Sequence, residues 1–110
     1  MSSRKFKADT LKSVSFGSIT TSYANLGSAL SQNWVQMVIK NTTDQTLLIS
    51  ENGTDDHYEI PSGTTEYYDF QTNAPDDKVS GKGIATQFQV KANAGELPTS
   101  GKIILQGQYL

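Results

Sequence analysis

Apolar and polar residues alternate with a period of two in several separate segments of this chain. That is the spacing of a β-strand with one face buried. Val35, Met37 and Ile39 fall on one face and Gln36, Val38 and Lys40 on the other, which predicts a strand over residues 34–40. A second strand is predicted over residues 46–50, with Leu47 and Ile49 inward and Leu48 opposite them. The link between them, residues 41–45, is polar and has a suitable hairpin length. Asn52-Gly53 and Pro61-Ser62-Gly63 are turn signals that bracket a short strand over 57–60. An aromatic strand follows over 65–70.

The cleanest alternation spans residues 84–91, where Ile84, Thr86, Phe88 and Val90 are expected inside. Ile103, Leu105, Gly107 and Tyr109 share one face of a final strand over 102–109. Near the start, Val14 and Phe16 alternate with Ser13 and Ser15, and Gly17 marks a bend. The segment from Ile19 to Leu30 is rich in Ser, Thr, Ala and Gly and reads as extended, not helical. Residues 71–83 and 92–101 read as loops. The fold class predicted is all-β: a single antiparallel β-sandwich of about 7–8 strands. Its core is expected to contain Val35, Met37, Ile39, Leu47, Ile49, Phe88, Val90, Ile103 and Leu105.

The length, 110 residues, fits one domain. Only 35% of residues are hydrophobic and the mean hydropathy is -0.45, so the core is thin. Without cysteine there is no disulfide and no thiolate metal site. No apolar run approaches the roughly 18–20 residues of a membrane span. The charged start of the chain lacks the apolar segment of a secretory signal, so Asn41-Thr42-Thr43 and Asn52-Gly53-Thr54 are read as turns, not glycosylation sites.

Charge changes the picture more than composition does. The net charge of -2 conceals segregation. Arg4, Lys5, Lys7 and Lys12 face a single acid, Asp9, within residues 1–12, which are expected to form a basic N-terminal arm preceding a domain over 13–110. From Asn41 to Asp77 there is no Lys or Arg, yet nine of the eleven carboxylates lie there. An acidic sheet exterior is therefore expected. A uniformly basic nucleic-acid binder is not.

Catalytic chemistry finds little support in the sequence. His57 is the only histidine, there is no cysteine, and no serine sits in a nucleophile elbow. A surface role for His57 fits better than a catalytic one. Asp55, Asp56, His57 and Glu59, with the pair Asp76-Asp77, are dense oxygen and nitrogen donors, but they lack the EF-hand pattern and read as solvated turn carboxylates. Paired carboxylates for glycoside hydrolysis carry no specificity in so acidic a segment. Trp34, Tyr58, Tyr67 and Tyr68 are candidates for stacking on sugars, with at least one of the adjacent tyrosines facing outward. No enzyme activity, cofactor or metal is expected.

One resemblance covers roughly residues 13–109. It runs through Val14-Ser15-Phe16-Gly17-Ser18-Ile19, Leu26-Gly27-Ser28-Ala29-Leu30, Ile39-Lys40-Asn41-Thr42-Thr43-Asp44 and Ser50-Glu51-Asn52-Gly53. It ends with Ile60-Pro61-Ser62-Gly63 and Gly101-Lys102-Ile103-Ile104. This order of turns and strand edges resembles small β-sandwich virion proteins of tailed bacteriophages. The resemblance implies a structural subunit of a capsid, head–tail neck or tail, located in the virion. Its partners would be copies of itself and other virion proteins, without direct nucleic-acid or membrane contact. It carries over no catalytic residues. The basic arm (Arg4, Lys5, Phe6, Lys7, Lys12) and the acidic run (Glu51, Asp55, Asp56, Glu59) are not specified by the shared pattern, Glu51 falling at an open position of its Ser-x-x-Gly turn, and are the candidate partner-binding residues. A carbohydrate-binding or adhesive β-sandwich module is the alternative. Removing residues 2–12 is expected to leave the sandwich folded.

Overall fold

Two antiparallel sheets face each other across one apolar layer in a computed structural model that describes residues 7–70, 82–93 and 95–110. The first sheet contains β1 (Lys7–Ala8), β2 (Lys12–Ser15), β4 (Gln36–Asn41), β7 (Thr65–Asp69) and β9 (Lys102–Tyr109). Its order is β1-β9-β4-β7, with β2 also paired to β9. The second contains β3 (Ala24–Asn25), β5 (Leu47–Ser50), β6 (Tyr58–Ile60) and β8 (Gln89–Ala92), in the order β3-β8-β5-β6. A short 3-10 turn, Phe16–Ser18, follows β2. This is the expected antiparallel sandwich.

All nine residues assigned to the core by alternation are buried. Ile19, Leu26, Leu30, Trp34, Ile60 and Ala92 join them. The apolar layer forms because β4 and β9 turn Met37, Ile39, Ile103 and Leu105 toward Leu47, Ile49, Val90 and Ala92 of the opposite sheet. Burying such side chains is worth roughly 1.5–3 kcal/mol each.

The connectivity differs from the sequence reading. Residues 41–45 do not close a hairpin: β4 pairs with β7 and β9, whereas β5 pairs with β6 and β8. The link is a corner from one sheet to the other. Among the described residues, only β5 and β6 are consecutive strands paired together.

The strand expected over 84–91 begins only at Gln89. Ala85 has φ 77, in the left-handed region that interrupts an extended chain, and Thr86 N–H closes a turn onto the Gly83 carbonyl. Ile84 is consequently 68% exposed, not core, and Thr86 is only half-buried. Likewise β2 stops at Ser15, and Phe16 is exposed. Leu48, expected on the outer face, is there but nearly buried, between Lys91 and Glu59 on the neighbouring strands.

The described part of the basic segment belongs to the sheet. Lys7 and Ala8 pair with Tyr109 and Gln108, and Lys12 pairs with Leu105. The boundary expected after residue 12 therefore falls inside β2. Arg4, Lys5, Phe6, Asp76 and Asp77 lie outside the described residues, as does most of the loop expected over 71–83.

Candidate functional site

Three polar constellations stand out. The first is the corner after β4. Asn41 is fully buried, and its side chain is saturated. Its Nδ2 donates to the carbonyls of Gln45 and Ile60, both at 2.9 Å. Its Oδ1 accepts from Thr43 N–H at 2.9 Å and from Thr43 Oγ1 at 2.6 Å. Thr42 Oγ1 and Lys102 exchange hydrogen bonds at 2.9 Å in each direction. Ser62 Oγ donates to the Thr43 carbonyl at 2.6 Å. The Asp44 carboxylate accepts from the Thr99 hydroxyl and, at 2.8 Å, from Thr99 N–H. Those two bonds hold Asp44 below the usual carboxylate range. Gly101 has φ 83, and a Cβ there would lie 2.1 Å from the Thr42 carbonyl oxygen. The Asn-Thr-Thr-Asp, Ile-Pro-Ser-Gly and Gly-Lys motifs thus meet at one end of the sandwich, joined by hydrogen bonds among themselves.

The second constellation is the acidic turn between β5 and β6. Ser50 Oγ accepts from Asn52 N–H and Gly53 N–H, and Asn52 Oδ1 accepts from Thr54 N–H and Asp55 N–H. Asp55 accepts from Asn52 Nδ2 at 2.8 Å. His57 Nδ1 accepts from Glu51 N–H at 2.9 Å, which explains the histidine as a turn residue. Glu51 accepts from Tyr58 hydroxyl at 2.6 Å and pairs with Lys82 at 2.9 Å. Asp56 accepts from the Tyr23 hydroxyl and pairs with Lys91 at 3.3 Å; Lys91 also lies 4.7 Å from the Tyr23 ring centroid. The Tyr23 bond, then the lysine, holds Asp56 below the usual carboxylate range. Burial first, and then Glu51, push the Tyr58 hydroxyl up. Glu59 is exposed on the outer face of β6.

The third lies at the opposite end of the sandwich. Trp34 is 0% exposed. Its ring stacks on Phe88 with centroids 5.9 Å apart, and its Nε1 donates to Asp9 at 2.8 Å. The ring lies flat on Gly107, where a Cβ would come within 1.7 Å of Trp34 Cδ2. Beside it, Gln32, Asn33, Val35, Ile84, Tyr109 and Leu110 line an open depression of about 300 Å³.

Comparison with protein-family models, curated proteins and solved structures finds no match.

Those candidate partner-binding residues that lie among the described residues are therefore placed by geometry alone. Lys7 lies 6.0 Å from the Tyr109 ring centroid. The stem of Lys12 covers Gly27, and its Nζ donates to Ser28 at 3.3 Å. Neither is paired with the acidic turn, whose ion-pair partners are Lys82 and Lys91. The acids do not form one exterior face either: Asp44 serves the corner, Glu51, Asp55 and Asp56 the turn, and Glu66 sits half-buried on β7. Of the four aromatic stacking candidates, Trp34 is in the core. Tyr58 and Tyr68 pack edge to face at 4.9 Å against the core, and Tyr67 alone is 57% exposed.

Asp9, Tyr23, Lys82, Lys91 and Thr99 escaped the sequence reading. Each acts on a residue at least 25 positions away, and only Asp9, the one acid in a basic segment, carried a local signal. Among the described residues there is no cluster of His, Asp and Glu fit to hold a metal ion, and no helix long and apolar enough to cross a membrane.

Proposed function

We propose that this chain is a structural subunit of a tailed-phage virion, in the capsid, neck or tail, acting by protein–protein assembly. The order of its turn motifs supports that reading. One observation carries it: three of those motifs, separated by up to some 60 residues, converge on the Asn41 corner. The resemblance therefore rests on residues that hold one fold together, as expected of a subunit whose work is its shape. The candidate contact residues are Arg4, Lys5, Phe6, Lys7 and Lys12 on one copy and the acids Glu51, Asp55, Asp56 and Glu59 on a neighbour. Glu51 and Asp56 already pair with Lys82 and Lys91, and the opposite charges that stay exposed set register and attachment rate more than affinity.

The test is mass spectrometry of purified particles with copy number. Stoichiometric presence at a fixed number of copies per particle is expected. Absence from particles overturns the reading, and a glycan screen then tests the carbohydrate-binding alternative, for which Tyr67 is the exposed aromatic.

A further inference from the structure

We infer that Asn52 is a self-modification site held unreactive by the closed turn between β5 and β6: when the turn opens, Asn52 cyclises onto Gly53 and loses its side-chain nitrogen, and the product no longer closes the turn. The inference does not rest on the virion reading.

The pair is chemically singular in this chain. Asn25, Asn33, Asn41, Asn73 and Asn93 precede Leu, Trp, Thr, Ala and Ala, and Asn52 alone precedes glycine. A glycine nitrogen has no side chain of its own residue to obstruct attack, and its backbone reaches conformations closed to other residues. In the reaction the Gly53 amide gives its proton to hydroxide, and its nitrogen forms a bond to Asn52 Cγ. The bond from Cγ to Nδ2 breaks, and that nitrogen leaves as ammonia after taking a proton from water. Water then opens the cyclic imide at either of its carbonyls. The products are aspartate and isoaspartate, in which the main chain runs through the former side chain. Water and hydroxide are the only co-reactants, and nothing is oxidised or reduced.

The fold occupies the atoms this reaction needs. The Gly53 N–H donates to Ser50 Oγ at 2.9 Å. The Gln89 side chain covers Gly53, where a Cβ would lie 2.6 Å from Gln89 Nε2. Asn52 Oδ1 accepts from the Ser50 hydroxyl at 3.0 Å and from Thr54 N–H and Asp55 N–H, each at 2.9 Å. Asn52 Nδ2 donates to Asp55 at 2.8 Å. Turning Cγ onto the Gly53 nitrogen breaks these bonds together, so the reaction proceeds from the open turn and its rate follows the open fraction. Asn52 is exposed, so hydroxide reaches it once the turn is open.

The product makes the opening one-way. An aspartate at position 52 has no N–H to give Asp55. It sets a carboxylate against that acid, in a turn that already holds Glu51 and Asp56. Isoaspartate lengthens the main chain and displaces the acceptor from Thr54 N–H and Asp55 N–H.

The experiment incubates the purified full chain at mildly alkaline pH, folded and in guanidinium chloride. Peptide mapping by mass spectrometry reads amide loss and isoaspartate at each asparagine, and thermal unfolding is run on every variant. In denaturant, Asn52 is expected to react ahead of every other asparagine. In the folded chain it should react at least about tenfold more slowly. Ser50→Ala removes three of the bonds, and Asp55→Ala, at an exposed position, frees Nδ2. Each should raise the folded rate at least about fivefold. Modified chain, separated by its added charge and refolded, should exchange the Thr54 and Asp55 amide hydrogens at least about tenfold faster than unmodified chain. No preference for Asn52 in denaturant overturns the site. A folded rate close to the denatured one, or an unmoved rate in either folded variant, overturns the protection by the turn. Equal amide exchange in modified and unmodified chains overturns the one-way opening.

Discussion

Gly107 and Trp34 form one unit although 73 positions separate them. The indole occupies the space a Cβ would need, so Gly107→Ala must displace either the ring or β9. Overpacking usually costs about 1–3 kcal/mol; with the ring held on its far side by Phe88, loss at or above the upper end is expected in urea unfolding. Asp9→Ala leaves the buried Trp34 Nε1–H without its acceptor. A loss of about 1–3 kcal/mol is expected, and a shift in tryptophan fluorescence reports it directly, since Trp34 is the only tryptophan. Phe88→Ala removes the other face of the stack and should cost about 3–5 kcal/mol.

At the scale of elements, the acidic turn and the Asn41 corner make stability depend on pH at both extremes. Asp44 and Asp56 have folded pKa values below their ordinary value of 3.8. Their contribution is therefore complete above that value and is lost as pH falls through the lower, folded one. Denaturant unfolding compared at neutral pH and below about pH 4 should show that loss, and Asp44→Asn should flatten it. Tyr23, Tyr58 and Tyr68 are shifted the other way, each raised from 10.0 chiefly by burial. A raised phenol favours the folded state below pH 10 and withdraws that support as pH climbs beyond it. Alkaline unfolding is expected to release phenolate absorbance cooperatively from these three, and Tyr58→Phe should reduce the pH slope. The corner itself shows why 41–45 resembles a hairpin in sequence. Asn, Thr and Asp satisfy a turn locally in either case. What makes this turn a crossover is that Asn41 is buried with its amide on Ile60, a residue of the other sheet.

For the whole molecule, the N-terminal segment is a structural part of the sandwich. β1, Asp9 and Lys12 cover β9, Trp34 and Gly27. Removing residues 2–12 is thus expected to lower the midpoint of thermal unfolding markedly, against the simpler expectation that the basic segment is dispensable. Particle occupancy of such a deletion would confound folding with attachment, so charge substitutions at Lys7 and Lys12 are the sharper test of a role in assembly. An unchanged midpoint for the deletion would show that β1, Asp9 and Lys12 add nothing to the fold.

The sequence by itself determined the class of fold, the inward face of four strands and the nine core residues assigned by alternation, because a period of two records which side of a strand is buried. It also marked the turns, since Gly, Asn and Pro act on their own backbone. It did not determine which strands pair, because turn chemistry is the same in a hairpin and in a corner between sheets. Ile84 shows the same limit: it keeps the alternating pattern, but Ala85 takes a left-handed conformation and ends the strand's reach. Nor could spacing show that Lys82 and Lys91 would pair with Glu51 and Asp56 of the acidic turn, or that Asp9 would meet Trp34. Those contacts exist only after two sheets have closed on one another, and burial then decides which charges need partners from distant parts of the chain.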